Sequence, residues 1–172
     1  MSIRMALRAA ALVAVAALAS APLAASAGTA TNTLSVTASV AKNCTVGSST
    51  MAFGAYDPVV ANLSTNLDQT STITLTCTKS ASGITLGFGA SANAPGGCTS
   101  PARCMISGSD YLQYQIYSDS GRTSVWTTAI AETVTGGTTT PTDVTIYGRI
   151  PSGQDAAVGA SYADSVTATV NF

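Results

Sequence analysis

Apolar residues occupy every second position over residues 31–40, where Leu34, Val36, Ala38 and Val40 are separated only by Ser and Thr. An apolar period of two residues predicts a β-strand with one buried face. No turn signal precedes this row to fold it back onto a partner strand. The row therefore needs a sheet to enter, either in its own domain or in another molecule.

Further segments after the row also predict strands. They cover residues 53–58, 70–78, 84–88, 103–106, 111–118, 125–126, 130–134, 144–150 and 162–172. In residues 70–78, for example, Ile73, Leu75 and Cys77 share one face and threonines occupy the other. No segment after Gly28 has helical periodicity. Short strands at a spacing of about 8–12 residues with turn signals between them predict a single β-sandwich domain.

The first 27 residues predict a secretory signal peptide rather than part of the fold. Arg4 and Arg8 precede or flank an unbroken apolar run over residues 9–19, and Ala25-Ser26-Ala27 forms a small-x-small cleavage site before Gly28. A membrane anchor is disfavoured, because a spanning helix needs about 20 apolar residues. We therefore expect export of the chain and exclude residues 1–27 from the fold.

Charge excludes two classes of partner. Without Arg4 and Arg8, the mature chain keeps five of the 7 basic residues and all 8 acidic ones, a net charge of −3. Nucleic acid and anionic membranes both require a basic face, so neither is an expected partner. Charged residues make up 9% of the chain, against about 25% in a typical domain. A surface of hydroxyls and small residues favours an exported structural protein over a cytosolic enzyme.

Four cysteines follow the cleavage site: Cys44, Cys77, Cys98 and Cys104. An even number in an exported chain predicts disulfides, and four cysteines allow three pairings. The short Pro101-containing loop favours Cys98–Cys104, which leaves Cys44–Cys77, and the other pairings stay open. A zinc site is disfavoured, because the chain lacks His and any C-x-x-C spacing.

The sequence contains no recognisable set of catalytic residues. Without His there is no Ser-His-Asp triad and no usual general base. No Gly-rich phosphate loop precedes a helix, and nothing selects a pair of carboxylates for glycoside chemistry. We expect no catalytic residue, no metal and no cofactor. Asp164 is expected to bond backbone or cap a turn, and Arg103 and Arg149 are expected in solvent or paired with an acid.

Several local patterns follow one another in order through the mature chain. They are a Cys closing the first extended segment, Phe53-Gly54-x-Tyr56, a strand ending at Cys77, Arg103-x-Met105, Leu112-x-Tyr114-x-Ile116-Tyr117, Tyr147-Gly148-x-Ile150-Pro151-x-Gly153-Gln154, and Gly159-x-x-Tyr162-x-Asp164-x-Val166 before a final Asn171-Phe172. Their order and the aromatic C-terminus resemble the spore coat protein U family. That family includes the pilin subunits of archaic (Csu-type) chaperone–usher pili. The Cys98–Cys104 loop lies outside this pattern.

The resemblance implies an all-β fold, namely an incomplete immunoglobulin-like β-sandwich of six strands plus an N-terminal donor strand. In the family's donor-strand complementation, a form of β-augmentation, the N-terminal strand of one subunit fills an uncovered groove in the next. The implied donor residues are Leu34, Val36 and Ala38. The implied C-terminal strand beside the groove carries Val166, Ala168, Val170 and Phe172.

The resemblance also implies boundaries, partners and a function. Residues 28–38 are the expected donor-strand extension and residues 39–172 the pilin domain. Expected partners are other copies of the chain or related pilins, a periplasmic chaperone and an outer-membrane usher. The expected function is that of a structural pilus subunit, secreted through the periplasm to the cell surface for adhesion and biofilm formation. Two alternatives stay open: a secreted protective (spore) coat protein, and a complete sandwich that binds a ligand as a monomer.

Overall fold

A computed structural model of the chain describes residues 27–93, 98, 103–128, 132–133, 140–159 and 161–172. These residues contain eight strands and no helix: β1 Cys44–Val46, β2 Leu67–Cys77, β3 Thr85–Ser91, β4 Arg103–Ser107, β5 Asp110–Tyr117, β6 Glu132–Thr133, β7 Thr142–Ile150 and β8 Val166–Asn171. Residues 1–26 of the expected signal peptide lie outside the described residues. The chain divides into two units, Met1–Ala38 and Ser39–Phe172, and the eight strands belong to the second.

Two antiparallel sheets make up the second unit. The larger sheet has the strand order β1-β2-β7-β5-β4, and the smaller has the order β6-β3-β8. β2 pairs with β7 along most of its length, whereas the pairing of β3 with β8 shifts register between Phe88 and Ser91. The described residues include no helix long and apolar enough to cross a membrane.

The predicted alternation of β2 is confirmed in the core. Ile73, Leu75 and Cys77 are at most 4% exposed, while the threonines between them are partly exposed. One face of the strand thus enters the sandwich and the other meets solvent. Both sheets supply the buried cluster, which comprises Ile73, Leu86, Phe88, Leu112, Tyr114, Ile116, Trp126, Ile146 and Ile150.

Four predicted strands differ from the structure. Residues 125–126 form no strand, and Val125 makes only an isolated bridge to Tyr117. Of the strand predicted over residues 130–134, only residues 132–133 are described, and they form β6. Residues 53–58 form no strand, because Gly54 has a φ of +80° and a turn over residues 58–62 follows. Residues 31–40 form no strand within this single chain, since a strand is defined by pairing with a neighbour. β8 begins at Val166 rather than at residue 162, and before it Ala163 makes only an isolated bridge, to Ile106.

Arg103 lies in the core, so the expectation that it is solvated is wrong. The residue is 2% exposed. Its Nε donates to the carbonyl of Gly89 at 3.0 Å, and its Nη2 donates to the carbonyls of Phe88 at 3.0 Å and Trp126 at 2.8 Å. Its Nη1 donates to the side chain of Gln115. Burial lowers the pKa of the guanidinium, and these four acceptors replace the water that the group loses.

Arg149 is paired with an acid, which is the second arrangement expected for it. Its Nε and Nη2 donate to the two carboxylate oxygens of Asp68 at 2.7 and 2.8 Å. The bond from Arg149 lowers the pKa of Asp68. Arg122 also lies 3.4 Å from Asp68 and packs over the ring of Tyr147. One carboxylate thereby joins β2, β7 and the connection that follows β5.

Candidate functional site

An open groove of about 740 Å³ runs along β8. Val166 and Ala168 of β8 border one side, and residues 47–53, here called the wall segment, border the other. The floor consists of core side chains, namely Ile73, Phe88, Met105, Tyr114, Ile116 and Ile146. β8 is an edge strand of the smaller sheet, so one of its sides has no hydrogen-bonded strand in the described part of the chain, although the short β1 lies near it. The groove is therefore an apolar channel beside a strand edge.

Side chains of β2 hold the wall segment from one side. Ser71 Oγ donates to the carbonyl of Thr50 at 2.7 Å, and Gln69 Nε2 donates to the carbonyl of Ala52 at 2.8 Å. Carbonyls two residues apart point to the same side of an extended chain, and the intervening ones point to the opposite side. From the bonded carbonyls of Thr50 and Ala52 we infer that the backbone groups of Met51 and Phe53 face away from β2. The wall segment thus offers a second edge for a strand lying in the groove.

Gly148 of β7 makes room for the wall segment. A Cβ at this position would lie 2.7 Å from Phe53 Cζ and still closer to Met51 Sδ. Contacts this short are not found at a real Cβ, so a side chain here would displace the ends of the Met51 and Phe53 side chains. Gly148 therefore sets how deeply Met51 and Phe53 pack into the groove.

A second cavity of about 620 Å³ continues the groove toward the far end of β7. It shares Met51, Phe53 and Tyr162 with the first cavity and extends to Tyr56 and Val158. The Tyr56 hydroxyl donates to the carbonyl of Pro151 at 3.0 Å. The apolar channel therefore follows the sandwich from β1 to the loop after β7.

Asp164 and Tyr114 form a polar spot in the groove. The Tyr114 hydroxyl donates to Asp164 Oδ2 at 2.7 Å, while Oδ1 accepts from the backbone N–H groups of Ala92 at 3.1 Å and Ser165 at 2.8 Å. Asp164 thus bonds backbone, as the sequence predicts. Burial, and then the bond to Asp164, raise the pKa of Tyr114 far above its ordinary value. The pair holds the chain in place just before β8 begins.

The predicted donor residues lie at the surface. Leu34 and Val36 are 84% and 82% exposed, Val40 is 84% exposed, and Ala38 is also exposed. The side chains of the row are therefore open to burial by another surface.

The residues predicted for the C-terminal strand divide into two pairs. Val166 and Ala168 line the groove. Val170 packs against the core without lining the groove, and Phe172 follows the end of β8 and is 44% exposed. The groove therefore follows the first half of β8.

Disulfides join Cys44 to Cys77 and Cys98 to Cys104. The first links β1 to the end of β2, immediately before the wall segment. Within the described residues, no three His, Cys, Asp or Glu side chains are grouped so that they could hold a metal ion.

Sequence reasoning missed the wall segment. It bonds β2 through single contacts, from the N–H of Gly47 to the carbonyl of Thr74 and from the side chains of Ser71 and Gln69, rather than through a continuous ladder, so it carries no period of its own. One available signal was Gly148, which lies in phase with Ile146 and Ile150 in an otherwise apolar row. A glycine at such a position marks a close approach of another backbone or side chain.

Comparisons with known proteins agree with this architecture. The sequence model of the Spore Coat Protein U domain matches residues 30–169. The chain is 38% identical over 152 residues to Protein U of Myxococcus xanthus, and the match covers 81% of this chain and 83% of that protein.

The fold is also similar to a solved structure. This is one chain of the CsuC–CsuE chaperone–tip adhesion subunit pre-assembly complex from the archaic chaperone–usher Csu pili of Acinetobacter baumannii. The TM-score is 0.50 at 18% sequence identity, and the match covers 77% of this chain and 40% of the other. This chain thus matches less than half of its structural neighbour. The likeness concerns the fold, and it confirms the expected all-β, immunoglobulin-like sandwich.

Proposed function

The chain belongs to the spore coat protein U family, and from that premise we propose that it is a structural subunit of an archaic chaperone–usher pilus. In this proposal, Leu34, Val36 and Ala38 of one copy form a donor strand that fills the groove of the next copy. One observation carries the proposal: the same chain presents an exposed apolar row and an open apolar groove beside a strand edge.

The groove suits a strand because both of its sides offer hydrogen-bonding edges. An inserted strand would lie between the open side of β8 and the Met51 and Phe53 backbone groups of the wall segment. Such pairing is the basis of β-augmentation, in which backbone bonds give affinity and alternate side chains give specificity. The competing interpretation, in which the row is the first strand of a complete sandwich, requires a buried row. Val40 belongs to the same unit as the sandwich and is 84% exposed, which disfavours this interpretation.

The energy available is sufficient for a stable contact. Fully burying one Leu or Val side chain contributes about 1.5–3 kcal/mol. Each backbone hydrogen bond adds about 0.5–1.5 kcal/mol net. A few of each reach about 10 kcal/mol before the cost of ordering the row is subtracted.

Repetition of this contact produces a filament, because a heterologous contact that does not close adds subunits without limit. The proposal assigns residues 28–38 to the donor extension and residues 39–172 to the pilin domain. An unfilled groove is an aggregation hazard, so we include a periplasmic chaperone that covers it first and an outer-membrane usher at which the donor strand replaces the chaperone. The name of the structural neighbour, a chaperone–tip adhesion subunit complex, supports the chaperone as a partner.

We place the assembled protein at the cell surface, reached through the periplasm after removal of the signal peptide at residues 1–27. The proposed role is structural rather than catalytic, serving adhesion and biofilm formation. A second candidate role is a protective coat, which the 38% identity to Protein U favours. Immunolabelling of cells in electron micrographs separates the two, since a pilus gives discrete fibres and a coat gives a continuous layer.

The donor role is tested with two matched variants of the mature chain. Val36→Asp places a charge in the apolar row, whereas Thr37→Asp places the same charge on its other face. We expect Thr37→Asp to form polymers like the unmodified chain and Val36→Asp to form none, as measured by size-exclusion chromatography and electron microscopy. Polymers of equal length from both variants would refute the donor role.

A further inference from the structure

Both lysines of the chain lie at one end of the sandwich. Lys42 Nζ donates to the carbonyl of Ser82 at 3.4 Å, and Lys79 follows Thr78, whose hydroxyl donates to the carbonyl of Ala41 at 3.1 Å. Both lysines are exposed, and neither makes a salt bridge within the described residues. Residues 39–49 and 76–84 contain no acidic residue, and Asp143, which lies opposite Thr74 near this end of β2, accepts from the Thr74 hydroxyl at 2.7 Å. We call residues 41–43 and 78–83 the basic end.

The opposite end of β2 is acidic. Asp155 follows the loop after β7, and Asp110 closes the turn between β4 and β5, and both are exposed. Residues 54–66, 104–121 and 151–161 contain no Lys or Arg, and the neighbouring Arg122 and Arg149 are both paired with Asp68. Because β2 has 11 residues, it separates the two ends by about 35 Å.

The acidic end also presents aliphatic side chains to solvent. They are Val59, Val60, Leu63 and Val158, with exposures of 74%, 77%, 61% and 107%. The loop over residues 57–66 is joined to the loop after β7, since the N–H of Gly153 donates to the carbonyl of Asn62 at 2.8 Å. We call residues 57–66, 107–110 and 151–159 the acidic end.

Internal hydrogen bonds hold the exposed loop of the acidic end. Asp57 Oδ1 accepts from the N–H groups of Val59 at 3.0 Å and Val60 at 3.1 Å, and these bonds lower the pKa of Asp57. Asn62 is 6% exposed, and its Nδ2 donates to the carbonyl of Thr65 at 3.0 Å. The polar groups are thus bonded within the loop while its aliphatic side chains remain outside. A fixed apolar surface of this kind is typical of an interaction site.

The short connection between the row and its own domain decides which surface of the donor copy lies next to the acidic end of the acceptor copy. The row ends at Val40, and the carbonyl of the next residue, Ala41, is already bonded to Thr78 of its own domain. If the row fills the groove of another copy, as the proposed function requires, the basic end of the donor copy must lie where the row leaves that groove. The acceptor's own lysines repel it at one end of the groove, and its carboxylates attract it at the other.

We propose that the acidic end of one copy binds the basic end of the next, as a second contact beside the inserted strand. Lys42 and Lys79 meet Asp110 and Asp155, while the donor domain covers the aliphatic loop. The row then runs from Val46 toward Tyr56, antiparallel to β8. This inference rests on the proposed function and adds to it a direction of insertion and a specificity surface.

Charge-swap variants of the mature chain test the inference by light scattering. We expect Lys42→Glu with Lys79→Glu, or Asp110→Lys with Asp155→Lys, to slow polymerisation about tenfold at low salt, because steering charges act on the association rate. Combining all four substitutions should restore the rate, and high salt should remove the differences. Asp57 is left unchanged because it holds its loop.

A synthetic peptide of residues 28–40 separates this inference from the proposed function. The peptide carries the row but no charged side chain, so it should bind the unmodified chain and the charge variants equally. Failure of the peptide to bind, with no polymers from the unmodified chain, overturns the proposed function. Peptide binding with all variants polymerising at the unmodified rate overturns only the second contact. A fourfold variant that stays as slow as the double variants also overturns it, because the charges would then not be meeting each other.

Discussion

Replacing Arg103 with leucine removes a guanidinium from the interior of the sandwich. The carbonyls of Phe88, Gly89 and Trp126 would each lose this donor, whereas the side chain of Gln115 would still accept from the N–H of Ile116 at 3.0 Å. A buried group without a partner costs about 1–3 kcal/mol, and three such groups together cost about 3–9 kcal/mol. Relief from burying the cation offsets part of this, so we expect a net loss of about 3–5 kcal/mol in the free energy of unfolding.

Equilibrium urea unfolding followed by Trp126 fluorescence measures this loss. Trp126 is the single tryptophan and is 2% exposed, so its emission reports on the core that Arg103 supports. Titrations at several protein concentrations show whether association contributes to the midpoint. The matched control is Arg149→Leu, which breaks a partly exposed ion pair and should cost about 1 kcal/mol or less.

Arg103→Leu should lower the free energy of unfolding more than Arg149→Leu does. If Arg103→Leu destabilises the chain no more than Arg149→Leu, the buried hydrogen bonds do not hold the core and our reasoning is refuted. Arg103→Lys should fall between the two, because an ammonium keeps the charge but cannot reach all four acceptors.

Three further predictions concern the groove and the disulfides. Gly148→Ala should cost about 1–3 kcal/mol in urea unfolding because its added carbon meets Phe53 and Met51, whereas Gly89→Ala, whose carbon would lie 3.4 Å from the carbonyl of Thr167, should cost less; equal losses would contradict the role given to Gly148. The raised pKa of Tyr114 means that its contribution to stability is complete below its unfolded pKa of about 10 and falls as the pH rises above that value, so thermal unfolding should show a decline there that Tyr114→Phe reduces. Removing Cys44–Cys77, with a separation of 33 residues, should cost about 3–4 kcal/mol, and removing Cys98–Cys104, with a separation of 6, about 2 kcal/mol; calorimetry of the two double serine variants would contradict this if the order were reversed.

The sequence predicts best where a strand has one buried face. The row of β2 alternates between core and solvent, so Ile73 is buried as its period requires. In β5 Leu112 is buried as predicted, but Gln115 on the opposite face is buried as well, because it accepts from Arg103. The row at residues 31–40 has the same period but forms no strand in a single copy, because pairing requires a neighbour that the row itself does not supply. Periodicity thus identifies an apolar strand face, but it does not identify the sheet against which that face is buried.

The positions of Arg103 and of the wall segment could not be predicted from the pattern of polar and apolar residues, because both depend on contacts between distant segments. A charged residue is ordinarily placed at the surface, and only the converging carbonyls of Phe88, Gly89 and Trp126 make the interior acceptable. Those carbonyls come from two segments that are distant in sequence, so no local pattern predicts that they converge on Arg103. The wall segment likewise depends on Ser71 and Gln69, whose bonds form only after β2 has been placed beside it.

Hydrogen exchange of the mature chain tests the donor strand most directly. The amides of β8 and of the wall segment are followed by mass spectrometry after addition of the 28–40 peptide, or of the same peptide with Val36→Asp. An inserted strand bonds to both edges, so the native peptide should slow exchange in both segments and the variant peptide in neither. Equal exchange with and without the native peptide, or protection only outside these two segments, would contradict donor-strand assembly.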